Sequence, residues 1–427
     1  MLAGRSAPGL RQVFAAFMAG AGASFRPAVA VSGGADSMCL AVLAREWGDP
    51  LALIVDHGLR PRSAAEAALT ARRLCALGIT SRILTLRGLR SGAGLAARAR
   101  MARYAALSAA ARQAGRVDLL LGHHLRDQAE TVLIRRLSHS GAAGLSAMAA
   151  IAETAEIRLL RPLLTVPPGA LRSYLRAAGI AWVEDPSNQD PAALRARLRA
   201  GLDDPEGDGA CVRVLAADAL DHAGRRADQD LRCAIELANR ASIFPQGHAV
   251  VSPGPISPAA LGMLIRAVSG APHVAASAGL ARLSSAPRPA VLGGVRLMAA
   301  GKHGPGLLVV REAKAMAPPV PARAGTLWDR RFLVEQDAGE GAMIGALGDD
   351  AAALRKHSFL PAAVLRTLPA LRLAGALVEV PHIGYRAGSG SARMAVSFAP
   401  ATPASGAPFG AVHSGDAEGG VHPHLQG

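Results

Sequence analysis

The hexapeptide Ser32-Gly33-Gly34-Ala35-Asp36-Ser37 restricts the fold more than any other stretch of the chain. It joins a short apolar run at 27–31 to a helical pattern that runs from Asp36 to about Glu46. Two adjacent glycines let the backbone turn sharply and approach a ligand closely. The helix that starts there offers unpaired N–H groups and the positive end of its dipole to an anion. Ser32 and Ser37 add hydroxyl groups. Asp36 is the exception, because a carboxylate repels phosphate unless a cation lies between them; a Mg²⁺ ion bridging Asp36 to phosphate oxygens removes the conflict. The stretch lacks GK[ST] and the GxGxxG spacing, so it is neither a Walker A loop nor a dinucleotide fingerprint. A lone Gly-Gly would be an ordinary turn. Six such residues at a strand end, with an acid in the first helical turn, favour a phosphate site.

The neighbouring pattern fits that reading. Apolar runs at 51–55, 81–86 and 117–122 alternate with helical stretches at 94–114 and 126–137 and with one carrying Arg72, Arg73 and Leu74. A further helix is expected over 9–22. Strands that alternate with helices predict a parallel sheet covered on both faces. The runs show no period-two alternation, as expected of strands buried on both sides. Beyond them, 169–200 reads as helix, loop, helix, with the loop at 182–190, and 203–245 as mostly helical. A helix at 258–269 is mixed with β-like pieces such as 306–310, and 315–325 is a Pro-rich linker. The stretches TLWDRRFLV and GALVEVPHIG suggest a small β-containing domain, and 399–427 a disordered tail.

Two more strand ends carry chemistry. One is Asp56-His57-Gly58-Leu59-Arg60, which alone would be a common turn. The other is Gly122-His123-His124-Leu125-Arg126-Asp127-Gln128-Ala129-Glu130-Thr131. Asp127 and Glu130 are three apart and share a helix face. Acids at a helix start favour the dipole by themselves, and the pattern lacks zinc spacing. Open α/β sheets bind ligands outside the carboxyl ends of their strands. Three such segments on one sheet edge therefore point to a site.

The formal net charge is +15, and the only lysines are Lys302, Lys314 and Lys356. That balance suits a polyanion, either nucleic acid or an anionic membrane, although Arg-rich coding bias contributes to it. No basic amphipathic anchor is evident, and no apolar run reaches the roughly 18 residues a membrane span needs. The four cysteines form no CxxC pair, which fits a reducing, cytoplasmic setting. Candidate contacts to a nucleic-acid backbone are Arg98, Arg100 and Arg103 on one helix and Arg195, Arg197 and Arg199 on another, where at most two of the latter three face the same way. For any single arginine a solvated helix face is the blander reading.

The hexapeptide resembles the SGGxDS signature of the PP-loop ATP pyrophosphatases. DHGLR and GHHxxDQAET together resemble the tRNA(Ile)-lysidine synthetase family. So do Ala99-Arg100-Met101-Ala102-Arg103-Tyr104, Arg161-Pro162-Leu163-Leu164, Tyr174-Leu175, Gly179, Trp182, and Glu184-Asp185-Pro186-Ser187-Asn188 with Asp190. The agreement covers about 27–200; beyond it the likeness is loose and carried chiefly by TLWDRRFLV.

The resemblance implies an α/β fold. An N-terminal parallel-sheet PP-loop domain, of the adenine nucleotide alpha hydrolase type, is expected over 1–200. A mainly helical domain (201–314), a small β-containing domain (325–398) and the tail are expected to follow. It also implies a ligase that uses ATP and Mg²⁺ to join free L-lysine to C2 of the wobble cytidine of tRNA(Ile) with a CAU anticodon, by way of an adenylated base. Ser32, Gly33, Gly34, Ala35, Asp36, Ser37, Asp56 and His57 would hold the nucleotide. Asp36, Asp127, Glu130 and His123 would serve the chemistry, with Asp36 and Asp127 on the metal. Arg98, Arg100, Arg103, Arg195 and Arg199 would contact tRNA. The general base stays open among Asp127, Glu130 and His123, and a homodimer stays open too.

Two departures stand out. Arg126 replaces the first of two acids in HHxDDQAET, and Ser138-His139-Ser140-Gly141 replaces the RGSG loop. Asp36, Asp127 and Glu130 are retained, so activity is expected to be kept. The alternatives are another PP-loop tRNA-modifying enzyme, such as a 2-thiolation enzyme, whose paired cysteines are missing here, and a non-catalytic tRNA-binding relative.

Overall fold

The computed structural model describes residues 9–58, 62–88, 92, 94–154, 157–184, 194–274, 277–388, 392–405 and 409. The chain forms two compact units, Met1–Asp228 with Ala407–Gly427, and Gln229–Gly406.

The first unit opens with α1 (Leu10–Gly20), β1 (Ala28–Val31), α2 (Ala35–Trp47), β2 (Leu51–Asp56), α3 (Ser63–Ala76), β3 (Thr80–Thr85), α4 (Leu95–Gln113) and β4 (Asp118–Leu120). Then come α5 (Leu125–Leu137), α6 (Ala142–Leu145), β5 (Ile151–Glu153), β6 (Arg158–Leu160), α7 (Pro168–Ala177) and α8 (Leu194–Leu202). The sheet order is β3-β2-β1-β4-β6-β5, parallel except for β5.

Side-chain alternation along each strand builds two cores. Val29, Val31, Ala52 and Ile54 face Phe14 and Met18 of α1, Met38 and Leu40 of α2, Leu74 of α3 and Leu171 of α7. Ala28, Leu51, Leu53 and Leu119 face Leu107, Ala110 and Ala111 of α4. The sheet is therefore covered on both sides, as the unbroken apolar runs predict. Strand β3 is the exception. It is an edge strand, and Thr80, Arg82, Ile83 and Thr85 are exposed. The β5–β6 pair is not legible in the sequence, because three-residue strands carry too little pattern. Chain order reverses between β1 and β4: β1, β2 and β3 run outward to one edge, and α4 carries the chain back. Such a switch point leaves a crevice at the strand ends.

Helix α9 (Ala210–Arg240) contains the boundary between the units. The second unit holds β7 (Ala241–Phe244), β8 (His248–Val251), α10 (Pro258–Ser269), α11 (Ser277–Ser285), β9 (Ala290–Leu292), β10 (Val295–Ala299) and β11 (Leu307–Arg311). These five strands form an antiparallel sheet ordered β7-β8-β11-β10-β9. The stretch expected to be mainly helical holds α9, α10 and α11, and with them this sheet, whose short apolar strands cannot be told from buried helix segments by periodicity alone.

The remainder comprises β12 (Val320–Pro321), β13 (Leu327–Trp328), β14 (Phe332–Val334), β15 (Ala342–Ala346), α12 (Ala362–Leu365), β16 (Pro369–Leu373), β17 (Ala376–Val380), β18 (Tyr385–Arg386) and β19 (Val396–Phe398). They make one sheet ordered β12-β15-β16-β17-β18 and another ordered β13-β14-β19. Strand β12 lies within the stretch expected to be a linker and pairs with β15. In the Trp328–Phe332 turn, buried Asp329 accepts hydrogen bonds from Arg311 and from the fully buried Arg331. Most of the expected disordered tail lies outside the described residues. No described helix is long and apolar enough to cross a membrane.

Candidate active site

The Ser32–Ser37 loop leaves β1 at the switch point. Gly33 has φ +89°, and a Cβ there would lie 2.3 Å from Thr70 Oγ1 on α3. Its carbonyl accepts the Val183 N–H at 2.8 Å. Ser37 Oγ accepts the Ser32 N–H (3.1 Å), donates to the Gly34 carbonyl (3.0 Å) and lies 3.2 Å from Ser32 Oγ. Ser37 therefore closes the loop on itself. Gly34, the N-cap of α2, provides no side-chain cap. The first-turn amides are left for a ligand.

Glycine also lets β4 approach α2. A Cβ at Gly122 would sit 3.3 Å from the Asp36 carbonyl and from Ser37 Cα. The chain then enters α5 through His124, which is buried and lies between two carboxylates. The Asp127 N–H donates to His124 Nδ1 (3.4 Å), and the His124 N–H donates to Asp127 Oδ2 (3.2 Å), a reciprocal cap. With Nδ1 accepting, the proton of a neutral imidazole sits on Nε2, which is 3.6 Å from Asp36 Oδ2. Burial pushes the Asp36 carboxyl above the usual carboxylate range, against the pull of His124. At Asp127 burial also pushes upward, but His124, His123, Arg195 and the His124 amide together hold the carboxyl below that range.

Glu130 has no exposed surface. Arg199 donates to it from Nε (2.6 Å to Oε1) and Nη2 (3.5 Å to Oε2), and Arg195 from Nη1 (3.4 Å to Oε2). Arg195 Nη1 also reaches Asp127 Oδ1 at 3.4 Å, and Arg199 Nη2 lies 3.6 Å from the same oxygen. Arg195 and Arg199, expected to face tRNA, therefore turn inward. Their i, i+4 spacing puts both on one face of α8, and buried carboxylates need charge partners. Arg197 is exposed on α8.

The other expected residues fall as follows. His123 is half-buried with Nδ1 unpartnered, and burial, with Arg161, Arg100 and Arg195, pulls its pKa down to about 4 against Asp127. Asp56 Oδ1 accepts Ser63 Oγ–H (2.6 Å) and the Gly58 N–H (3.0 Å), which hold its carboxyl low. That carboxylate organises the β2–α3 turn, while neighbouring His57 lines the cleft. On α4, Arg98, Arg100 and Arg103 are exposed. The Arg100 and Arg103 guanidinium carbons lie 5.2 and 5.5 Å from the Tyr104 ring centroid. Leu59, Arg60, Asp185 to Asn188 and Asp190 lie outside the described residues.

One cleft of about 970 Å³ is lined by many of these groups, though not by Asp56, Arg98, Arg100, Glu130 or Arg195. Its walls include the Ser32–Ser37 loop, His57, Arg103, Tyr104, His123, His124, Asp127 and Arg199. Four lining features escape sequence reasoning: Tyr104 as a wall, Arg172 on α7, Glu66 on α3 and the Asp203–Pro205 turn. Apart from the family likeness of the stretch that ends at Tyr104, none carries a local signal, because each reaches the cleft only through packing between distant segments. Among the described residues no group of three or more His, Cys, Asp or Glu could hold a metal.

The sequence profile of the PP-loop domain matches residues 10–204. Curated relatives carry the name tRNA(Ile)-lysidine synthase. The chain is 44% identical over 219 residues to the one from Bradyrhizobium sp. strain BTAi1, a match covering 50% of this chain and 61% of that protein. It thus spans less than two thirds of that relative's length. It is 35% identical over 373 residues to the Mesorhizobium japonicum protein, covering 79% of each. With the Ruegeria pomeroyi protein the identity is 33% over 383 residues, covering 85% of this chain and 90% of the relative.

Proposed function

Because this chain belongs to the tRNA(Ile)-lysidine synthase family, we propose that it joins lysine to C2 of the wobble cytidine of a tRNA(Ile) with a CAU anticodon, at the expense of ATP. The observation that carries the reading is the meeting, around one cleft, of the Ser32–Ser37 loop with Asp36, His124 and Asp127; Glu130 lies buried behind them, held by Arg199.

The loop amides and the α2 dipole suit the β- and γ-phosphates of ATP. In the first step the cytidine C2 oxygen attacks the α-phosphate and pyrophosphate leaves. In the second the lysine ε-amine attacks C2, AMP leaves with the oxygen, and the amine gives up a proton. Little covalent chemistry is asked of the protein, so positioning and charge stabilisation dominate. Asp127, Glu130 and His123 are the candidates to take the proton. The product base pairs with A, which moves codon reading from AUG to AUA.

Mg²⁺ needs only one or two carboxylates when phosphates complete its shell. Asp36 fits: its carboxyl reaches the cleft, burial disfavours its charge, and His124 stands beside it at 3.6 Å, with the charges of Arg172 and Arg126 acting from farther away. Asp127 fits less well, since the His124 amide and Arg195 occupy its oxygens. Bound with ATP, the ion would neutralise charge on the departing pyrophosphate. Arg98, Arg100 and Arg103 on α4 offer a basic surface to the tRNA backbone, and Arg103 stands at the cleft edge.

The test is incubation with unmodified CAU-anticodon tRNA(Ile), ATP, Mg²⁺ and radiolabelled lysine, with Asp36→Ala as control. ATP-dependent labelling of the tRNA that is lost in the variant is expected. Binding of the tRNA without labelling would instead leave a non-catalytic tRNA-binding relative.

A further inference from the structure

Position 126 departs from the family pattern, with arginine where an acid usually stands. Its side chain is mostly buried at the cleft wall. Arg126 Nη1 donates to the carbonyls of Asp204 (3.3 Å) and Pro205 (3.4 Å). Arg172 on α7 donates from Nη2 to the same Pro205 carbonyl (2.7 Å) and lies 3.3 Å from Glu206 Oε2. The turn answers both helices. The Glu206 carbonyl accepts the Gly169 N–H of α7 at 3.0 Å. The Asp204 carboxylate accepts the Gly207 and Gly209 amides, each at 2.8 Å. Gly207 has φ +69°, and a Cβ there would meet Pro168 at 2.6 Å and Arg126 at 3.3 Å.

This turn joins α8 to α9. Helix α9 is fixed on α5 by Val212, Leu215 and Ala219 against Ala129 and Val132. Helix α8 carries Arg195 and Arg199, which hold Asp127 and Glu130. A carboxylate at 126 would have no proton to give the two carbonyls. It would also stand one residue from Asp127 and one helical turn from Glu130.

We propose that Arg126 is a positioning residue that, with Arg172, clamps the Asp204–Glu206 turn onto the first turns of α5 and α7 and so sets α8 over Asp127 and Glu130. The loss of an acid at 126 is then the gain of a clamp. The consequence for lysine transfer rests on the function proposed above; the clamp itself does not.

Amide hydrogen exchange of the full chain tests the clamp directly, comparing the unaltered protein with Arg126→Gln. Arg126→Lys, which keeps the charge but gathers its donors on one nitrogen and loses the guanidinium fork, serves if the glutamine variant fails to fold. Exchange at Gly207, Gly209 and α8 is expected to quicken about tenfold, with β1 and β2 unchanged. Unchanged exchange at the turn, or equal quickening in β1 and β2, overturns the proposal. In the lysine-transfer assay, kcat should fall about tenfold with a smaller change in KM for ATP, because Arg126 hydrogen-bonds the turn and reaches the Ser32–Ser37 loop only through its charge on Asp36. A rise in KM for ATP at constant kcat would also overturn it. If the unaltered protein transfers no lysine, the function fails while the exchange result still decides the clamp.

Discussion

Arg199 Nε donates to Glu130 Oε1 at 2.6 Å, and Glu130 is wholly enclosed. Removing one partner of a buried pair costs roughly 3–5 kcal/mol, because the other charge is stranded. Arg195 and Arg126 remain beside Glu130, at 3.4 and 3.8 Å, so the cost falls at or below the bottom of that range. Arg199→Ala should lower unfolding stability in urea by about 2–3 kcal/mol. The Arg199→Ala/Glu130→Gln double variant should recover part of that. A loss within experimental error would mean that solvent already screens the pair.

Gly33→Ala adds a Cβ at φ +89°, 2.3 Å from Thr70 Oγ1. The left-handed backbone alone costs an L-residue about 1–2 kcal/mol, and the contact forces the loop or α3 to move. ATP binding, read by equilibrium dialysis, should be lost. Adding Thr70→Ala removes the hydroxyl but not the strain, so binding should return only in part. Full binding by Gly33→Ala would show that the loop tolerates displacement.

His124 serves both as helix cap and as neighbour of Asp36. Asparagine is a strong N-cap but is too short to reach Asp36, so His124→Asn separates the two roles. Stability should change by less than about 1 kcal/mol, while lysine transfer falls sharply. Retained activity in His124→Asn would confine His124 to capping.

Arg98 and Arg100 lie exposed on α4. Replacing both with alanine should weaken tRNA binding similarly for CAU and other anticodons. Plotted as log affinity against log salt, the slope should fall by about 0.7–0.9 for each phosphate that is no longer neutralised. An unchanged slope would place the tRNA elsewhere.

His248 in the second unit is buried against Phe244, with both ring nitrogens unpartnered. Burial, aided by His303, pulls its pKa from 6.5 down to about 4. The unfolded chain therefore takes up a proton below pH 6.5 that the native protein refuses until about pH 4. Stability is full above pH 6.5 and declines toward pH 4, by at most about 1.4 kcal/mol per pH unit for this group. Denaturation curves at pH 7 and pH 5 should show this loss, reduced in His248→Leu. His123 adds a slope in the same window. Equal slopes in both proteins would remove His248 as the cause.

The sequence by itself determined the parallel sheet and the strand-end placement of the loop. Apolar runs such as 51–55 have one physical solution when helices flank them, and a Gly-Gly turn between strand and helix has few uses. It also determined that Asp127 and Glu130 share a face, because helical spacing is local. Only the tertiary structure decided where arginines point: i, i+4 spacing puts Arg195 and Arg199 together on α8, but nothing local says whether RNA or buried carboxylates will meet them. The same holds for Arg126, whose partners are carbonyls 78 and 79 residues away. The Tyr104 wall and the β5–β6 edge likewise depend on packing between distant segments. Short-range periodicity does not encode such packing; the energy of burying each charge beside a partner decides it.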